Sequence, residues 1–509
     1  MEEWKNENCF LLCTFAIDMI TDELKYRVRQ SFGFVPTSEQ EHALDVFSCF
    51  MTDRSEEVVM ILRGSAGTGK TTLAGAIVRG MMALRQKMVL LAPTGRAAKV
   101  FSLNAGHSAF TIHRRIYREK TADSLSSFGL NVNLNRDTLF IVDEASMISN
   151  GNNLPSSSSG HAIDFGSGCL LDDLMQFVYN GQNCRLLLVG DRAQLPPVGE
   201  TESPALMADV LRGYGMKVYE CDLNQVLRQS ETSGILWNAT KIRENQGHLV
   251  LPRIRFKGFA DIRMVPGNEL IDSLADSYSK VGHDETIVIT RSNKWANVYN
   301  QGIRNRVLDR DEELCRGDLL MVVKNNYYWT SPTPAPTGEG TEVVAPSFIA
   351  NGDIAAVQRV RNIHEQYGFR FAEVTMRFPD YDDYELTATV VLDSLTSETP
   401  ALTREQQEQL YRAVMEDYAD VSLRSERVKK LKGDRYYNSL QVKYAYAVTC
   451  HKAQGGQWAH VYLDQGYMTD EMLTPDYIHW LYTAFTRATE TLFLVNWPST
   501  QVVDVMKEY

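Results

Sequence analysis

An apolar strand that runs directly into a glycine-rich loop constrains this chain more than any other feature of it. Residues 58–62 (VVMIL) are followed, after Arg63, by Gly64, Ser65, Ala66, Gly67, Thr68, Gly69, Lys70, Thr71 and Thr72. That run fits G-x-x-x-x-G-K-[ST] in the strand–loop–helix context the pattern requires. Glycines allow a turn tight enough for backbone N–H groups to converge on an anion. The helix N-terminus adds positive potential, and Lys70 adds a point charge. The chemistry selected is the binding of nucleotide phosphates, with the Thr71 hydroxyl as a ligand for Mg²⁺. A parallel α/β sheet carrying the loop at a strand C-terminal end follows.

A second apolar strand, residues 138–142, ends in Asp143 and Glu144. Two adjacent acids at that place suit phosphoryl transfer to water: Asp143 binds in the Mg²⁺ shell, and Glu144 orients or deprotonates the attacking water. A third strand end, Gly190-Asp191-Arg192-Ala193-Gln194, brings an amide to the same edge, where Gln194 is a candidate sensor of the terminal phosphate.

The acids outnumber the bases, 64 to 52, for a net charge of −12. Contact with nucleic acid therefore requires a local basic groove, since the global field repels polyanions. The apolar run at residues 9–17 is too short to span a bilayer and is preceded by Glu2, Glu3 and Glu7, so a cytoplasmic chain without a membrane segment is expected. Eight cysteines without metal spacing read as reduced thiols.

Further buried-strand runs occur at 88–92, 185–189, 286–289, 460–463 and 491–495, with helical patterns between many of them. The rhythm changes between about 317 and 380, where short strands and turns suggest a small β-barrel inserted into an α/β domain. Residues 402–432 read as a solvated charged helix, acidic early and basic late. Residues 150–168 and 331–346 have loop composition.

In this order the motifs resemble those of superfamily 1 DNA helicases of the RecD and Dda branch. Thr37 to Gln40 resembles the adenine-reading Q motif, Gly64 to Thr71 motif I, and Ala92 to Ala98 motif Ia. Asp143 to Ser146 is similar to motif II, and Gly190 to Pro197 to motif III. Leu223 to Gln229 resembles the arginine-finger motif, Val448 to Gly455 motif V, and Tyr482 to Ala488 motif VI. The resemblance implies an α/β fold of two RecA-like P-loop NTPase domains with parallel sheets, at about 36–220 and at 221–300 with 436–509, behind an N-terminal extension of residues 1–35. It also implies a pin-like insertion at about 114–135 and, within 301–435, an SH3-like β-barrel insertion at about 317–380.

ATP and Mg²⁺ are the implied nucleotide and metal. The family's roles transfer to Lys70, Asp143, Glu144, Gln194, Arg228 and Arg487 as catalytic residues, and to Gln40, residues 64–72 and Gly455 as nucleotide contacts. Thr94, Thr111, His113, Arg291, Asn293, Thr449, His451 and Lys452 resemble the family's DNA contacts, with a bland reading open for each: strand-end caps or solvated charges. The implied activity is ATP-driven translocation on single-stranded DNA, 5′ to 3′, with unwinding at single/double-strand junctions in repair or recombination; a nuclease or recombination partner is conceivable. Two alternatives stay open. One is a nucleic-acid-stimulated ATPase that does not unwind; the other is an ATP-binding regulatory module acting on a protein.

Overall fold

The computed structural model describes residues 19–119, 128–151, 166–226, 232–248, 250–330 and 348–503. They fall into two compact units: residues 1–93 with 97–231, and residues 232–509 with 94–96.

In the first unit, strands β1 (Val58–Gly64), β2 (Lys87–Ala92), β3 (Ala109–Thr111), β6 (Thr138–Val142), β7 (Arg185–Gly190) and β8 (Lys217–Leu223) form one sheet in the order β3-β2-β6-β7-β1-β8. Every pairing is parallel. Between β3 and β6 lies a separate antiparallel pair, β4 (Tyr117–Glu119) and β5 (Phe128–Leu130). The central strands are apolar throughout because helices cover both faces of a parallel sheet. On one face Val58, Met60 and Leu62 pack with Leu44, Phe47 and Phe50 of helix Ser38–Thr52 and with Leu73, Ile77 and Met81 of helix Lys70–Ala83. Burying each such large side chain stabilises the unit by roughly 1.5–3 kcal/mol.

The β4–β5 ladder pairs Tyr117 with Leu130, and Asn131 N–H donates to the Ile116 carbonyl at 2.6 Å at its root. This hairpin lies within residues 114–135, of which residues 120–127 lie outside the described residues. β8 spans the domain boundary expected at 220/221. Its full pairing with β1, from Val58 opposite Lys217 to Gly64 opposite Leu223, carries the first unit past that point.

The second unit holds a parallel sheet of β9 (Ile262–Val265), β10 (Thr286–Thr290), β16 (Ala447–Thr449), β17 (Trp458–Leu463) and β18 (Ala488–Val495), ordered β16-β10-β17-β18-β9. The expected barrel is present as a closed ring of β11 (Leu319–Val322), β12 (Ile354–Gln366), β13 (Phe369–Phe378), β14 (Tyr384–Val391) and β15 (Leu440–Tyr444). A two-residue turn joins β12 to β13, with φ of 56° at Tyr367 and 76° at Gly368. Positive φ at both positions is what a tight hairpin of twisted strands needs, and glycine supplies it without strain.

The barrel is larger than the segment at about 317–380. Closure needs β14 and also β15, which the sequence expectation assigned to the second RecA-like domain; β14 and β15 pair in parallel at Val390–Leu440. The charged stretch also differs from a free solvated helix. It forms two helices, Arg404–Asp417 and Arg424–Lys432, whose Leu410, Val414 and Leu431 pack on Phe369, Phe371 and Val391 of the barrel. The net charge of these helices hid a narrow apolar stripe.

Asp318 sits where the chain enters the barrel. Its buried carboxylate accepts from Arg304 Nε at 3.1 Å and Nη2 at 3.0 Å, from Arg310 Nη1 at 2.8 Å, from Cys315 N at 2.8 Å and from Tyr446 Oη at 3.0 Å. Tyr446 lies just beyond the last barrel strand, so one carboxylate ties barrel entry and exit to helix Asn293–Arg306. Several aromatic side chains of this unit serve its packing. Tyr444 and Tyr446 are buried, Tyr327 stacks on Phe348 at 4.8 Å, and Trp329 Nε1 donates to the Asn438 carbonyl.

Candidate nucleotide site and strand contacts

The phosphate loop begins where β1 ends. A Cβ on Gly64 would lie 2.9 Å from Thr68 Oγ1 and 3.3 Å from Leu223 Cβ, so only glycine fits. Gly67 and Gly69 have φ of 78° and 77°, in the left-handed region that glycine adopts freely. Thr68 Oγ1 donates to the Ser65 carbonyl at 2.8 Å and closes the loop across Ala66 and Gly67. Lys70 is buried and opens the helix Lys70–Ala83, whose first turn carries no acid. Thr71 and Thr72 follow in that turn, Thr71 half-buried and Thr72 exposed.

Gln40 is drawn into the same loop. Its Oε1 accepts from Thr37 N at 2.9 Å, and its Nε2 donates to the Thr68 carbonyl at 3.0 Å. Both ends of its amide are thus engaged within the protein, and helix Ser38–Thr52 braces the loop from behind.

Asp143 follows β6, and its N–H donates to the Leu91 carbonyl at 3.0 Å, which fixes the strand end. Its Oδ1 accepts from Glu144 N at 2.9 Å. Burial and the Glu144 carboxylate raise the Asp143 pKa to about 6, against the pull of Lys70. Glu144 has a left-handed φ of 52°, and its Oε2 is buried with no hydrogen-bond partner. Ser146 Oγ is buried in the same condition. At the end of β7, a Cβ on Gly190 would lie 2.8 Å from Leu206 Cδ1 and 3.1 Å from Ser146 N. Asp191 Oδ1 accepts from Ala193 N at 2.9 Å, and this turn delivers Gln194 in a buried position.

The first unit therefore brings together Gln40, the 64–72 loop, Asp143, Glu144 and Gln194 at the C-terminal edge of its sheet. Arg228 lies outside the described residues. Two residues of its approach are held: Glu39 Oε2 accepts from Asn224 N at 2.6 Å and Gln225 N at 2.7 Å. Glu39 is a positioning residue that the sequence reading missed, since an acid in a helix first turn ordinarily signals only the dipole.

Arg487 and Gly455 belong to the second unit. Arg487 is buried after helix Pro475–Phe485, and it donates to the Thr483 carbonyl at 3.0 Å, the Gly456 carbonyl at 3.2 Å and Thr486 Oγ1 at 3.1 Å. Gly455 has φ of 72°, which lets the chain turn between helix Cys450–Ala453 and β17.

Among the strand-contact candidates, Thr94 follows β2, and Thr111 ends β3, where its side chain caps helix Ile112–Ile116 by accepting from Arg114 N at 3.3 Å. Burial lowers the pKa of His113 to about 4 against the nearby Asp173, so the ring is neutral at pH 7 and offers stacking or a hydrogen bond, not charge. In the second unit Arg291, Asn293, Thr449, His451 and Lys452 cluster at the ends of the paired strands β10 and β16, where Thr290 lies opposite Thr449. Arg291 contacts Met468 Sδ and lies over the Tyr477 ring at 5.5 Å, and Asn293 starts a helix capped by Ser292. Lys452 Nζ donates to Asn351 Oδ1 in the barrel turn, and burial with neighbouring Lys443 lowers its pKa to about 8. Asn351 is a second residue that sequence reasoning missed, because only the fold brings that turn to Lys452.

No helix among the described residues is long and apolar enough to cross a membrane. Residues 38–154 match the family model described as an AAA domain, and residues 444–495 match that of the UvrD-like helicase C-terminal domain. The ATP-dependent DNA helicase Dda of Enterobacteria phage T4 is 23% identical over 304 residues, covering 56% of this chain and 60% of that protein. The ATP-dependent RecD2 DNA helicase of Deinococcus radiodurans is 32% identical over 143 residues, 28% of this chain and 16% of that one. The chain thus spans 60% or less of the length of these two relatives. A crystal structure of the Pif1 helicase from Bacteroides in complex with ADP-AlF3 and single-stranded DNA aligns over 92% of this chain and 95% of that one, at 14% identity and a TM-score of 0.44. In the order of its motifs and in both matched segments, the chain is similar to superfamily 1 helicases of the Dda and RecD branch.

Proposed function

We propose that the chain is an ATP-dependent DNA helicase that hydrolyses Mg-ATP to move along single-stranded DNA, 5′ to 3′, and part duplex ahead of it. The observation that carries this reading is the convergence of the phosphate loop, Lys70 and the Asp143–Glu144 pair at one sheet edge, in a chain whose motif order and matched segments resemble DNA helicases. The donor set suits Mg²⁺. The Thr71 hydroxyl and the Asp143 carboxylate are hard oxygen ligands, and a dication beside Asp143 would favour its charged form, which burial and Glu144 otherwise disfavour. When bound, the ion neutralises charge on the phosphate oxygens. Lys70 and the loop N–H groups bind the phosphates. Glu144, with its unpartnered Oε2, orients the attacking water and takes its proton. Arg228 and Arg487 supply cationic charge to the transition state.

Strand contacts are assigned to Thr94, Thr111, His113, Arg291, Asn293, Thr449, His451 and Lys452, and separation at the junction to the β4–β5 hairpin and the barrel. The test is ATP turnover with and without single-stranded DNA, then with RNA, followed by strand displacement on duplexes with a 5′ or a 3′ tail. Stimulation by DNA and opening of the 5′-tailed duplex are expected. Turnover indifferent to any strand rejects the motor, stimulation without displacement favours a translocase, and opening of only the 3′-tailed duplex reverses the polarity.

A further inference from the structure

The edge of the first sheet opposite the phosphate loop carries a group of cationic side chains. A cavity of about 510 Å³ opens at the starts of β2 and β6, where Lys87 lies opposite Thr138 in the parallel register. Arg85, Lys87, Arg115 and His107 line it together with Asn135 and Thr138, and no carboxylate does. Among the described residues, Arg85, Lys87 and Arg115 form no ion pair, whereas Arg63 pairs with Glu220 and Asp222, Arg192 with Glu202, and Arg212 with Asp209. Arg115 goes further, because its Nε is buried with no hydrogen-bond partner. A buried charged donor without a partner costs free energy unless a ligand completes it. In a chain of net charge −12, three cations left unpaired around one cavity form a local exception to the global field.

We propose that this cavity binds a phosphate-bearing anion, held by Arg85, Lys87 and Arg115 with Asn135 and Thr138 as neutral donors. It is distinct from the nucleotide site: β2 runs six residues from Lys87 to Ala92, so the two edges are about 20 Å apart at the rise of a strand. Its place in the chain favours a nucleic-acid backbone as the source. Arg115 belongs to helix Ile112–Ile116, which leads without a break into β4 of the hairpin, so an anion at Arg115 sits at the hairpin root. A free phosphate compound offers the same chemistry, and the two sources separate by experiment.

The first arm is pyrophosphate titrated by calorimetry into full-length Lys70→Ala, which silences the phosphate loop. One site is expected, and adding Arg85→Gln and Lys87→Gln should weaken it by about tenfold or more. The second arm is the affinity of a forked DNA for wild type and for Arg85→Gln/Lys87→Gln across a salt series. Removing two phosphate contacts should flatten the slope of log affinity against log salt by about two. Both substituted side chains are exposed, so folding is not at stake; Arg115→Gln, checked for folding, should reproduce either loss. A changed fork slope identifies the DNA backbone, and loss of pyrophosphate with an unchanged slope identifies a free anion. No pyrophosphate binding in Lys70→Ala together with an unchanged slope overturns the site. The pyrophosphate arm stands whether or not the chain is a helicase, so failure of that reading is seen separately, in ATP turnover that ignores DNA.

Discussion

At the scale of single residues, the proposed mechanism gives Lys70 and Glu144 different steps. Lys70→Ala removes the buried charge proposed to meet the phosphates and should abolish both tight nucleotide binding and turnover. Glu144→Gln keeps shape and hydrogen bonding, so binding should persist while hydrolysis falls by on the order of 10²-fold or more. Nucleotide affinity and turnover measured on both variants separate these roles, and normal turnover in Glu144→Gln removes the acid from the mechanism. Arg487→Ala should lower turnover by on the order of 10³-fold with nucleotide affinity within a few-fold, and Lys should rescue it poorly, since a planar fork is not a point charge. Because Arg487 also holds the Gly456 and Thr483 carbonyls, a thermal melt of the variant must accompany the rate. His113 gives a pH signature. Its folded pKa of about 4 is below the ordinary 6.5, so between those values the unfolded chain takes up a proton that the native ring refuses. Its contribution to stability is full above about pH 6.5 and is lost as pH falls toward 4. Denaturation midpoints at pH 7 and pH 5 should therefore differ less in His113→Gln than in wild type.

The hairpin and the barrel are the elements to which unwinding is assigned, and the fold decides how each can be removed. Replacing residues 118–130 by a short Gly/Ser linker keeps buried Tyr117, whose hydroxyl donates to buried Asp173 at 2.7 Å, so DNA-stimulated hydrolysis should continue while strand separation fails. Excising 317–380 from the second unit would instead break a closed barrel and leave β14 and β15 with only their short pairing to each other, exposing their outer edges. A clean removal takes the whole ring, residues 319–444, with its two docked helices. That variant, once its folding is checked, should also hydrolyse ATP with DNA stimulation and open a 5′-tailed duplex at a much reduced rate. Displacement at the wild-type rate by both deletions would place the separating element elsewhere.

Over the whole molecule, stability is concentrated in parallel sheets covered on both faces and in a few fully satisfied polar networks. Asp318 centres one of these, a carboxylate with no exposure that meets Arg304, Arg310, Tyr446 and the Cys315 N–H. Asp318→Asn leaves two arginines against a neutral amide, and breaking a buried pair on one side should destabilise the second unit by about 3–5 kcal/mol. Denaturant unfolding checks this; a shift under 1 kcal/mol means the network relaxes. The strands expected at 58–62, 88–92, 138–142, 185–189, 286–289, 460–463 and 491–495 all lie within observed strands, because a strand buried on both faces must be continuously apolar and therefore shows in composition. The phosphate loop was legible for a similar reason: its glycines answer to local backbone geometry and close approach. β8 escaped notice because KVYECDL alternates and is partly exposed at a sheet edge, and β9 because four residues carry no periodicity. The barrel's extent was hidden too, since β15 joins β11 and β14 from far along the chain and nothing local marks which sheet a short apolar run will enter. Local sequence thus determined the elements and the nucleotide chemistry, where neighbours in the chain are neighbours in space. Only the tertiary structure decided which strand closes the barrel, that Glu39 holds residues 224 and 225, and that three unpaired cations meet at one edge, because those contacts join residues that are distant in sequence.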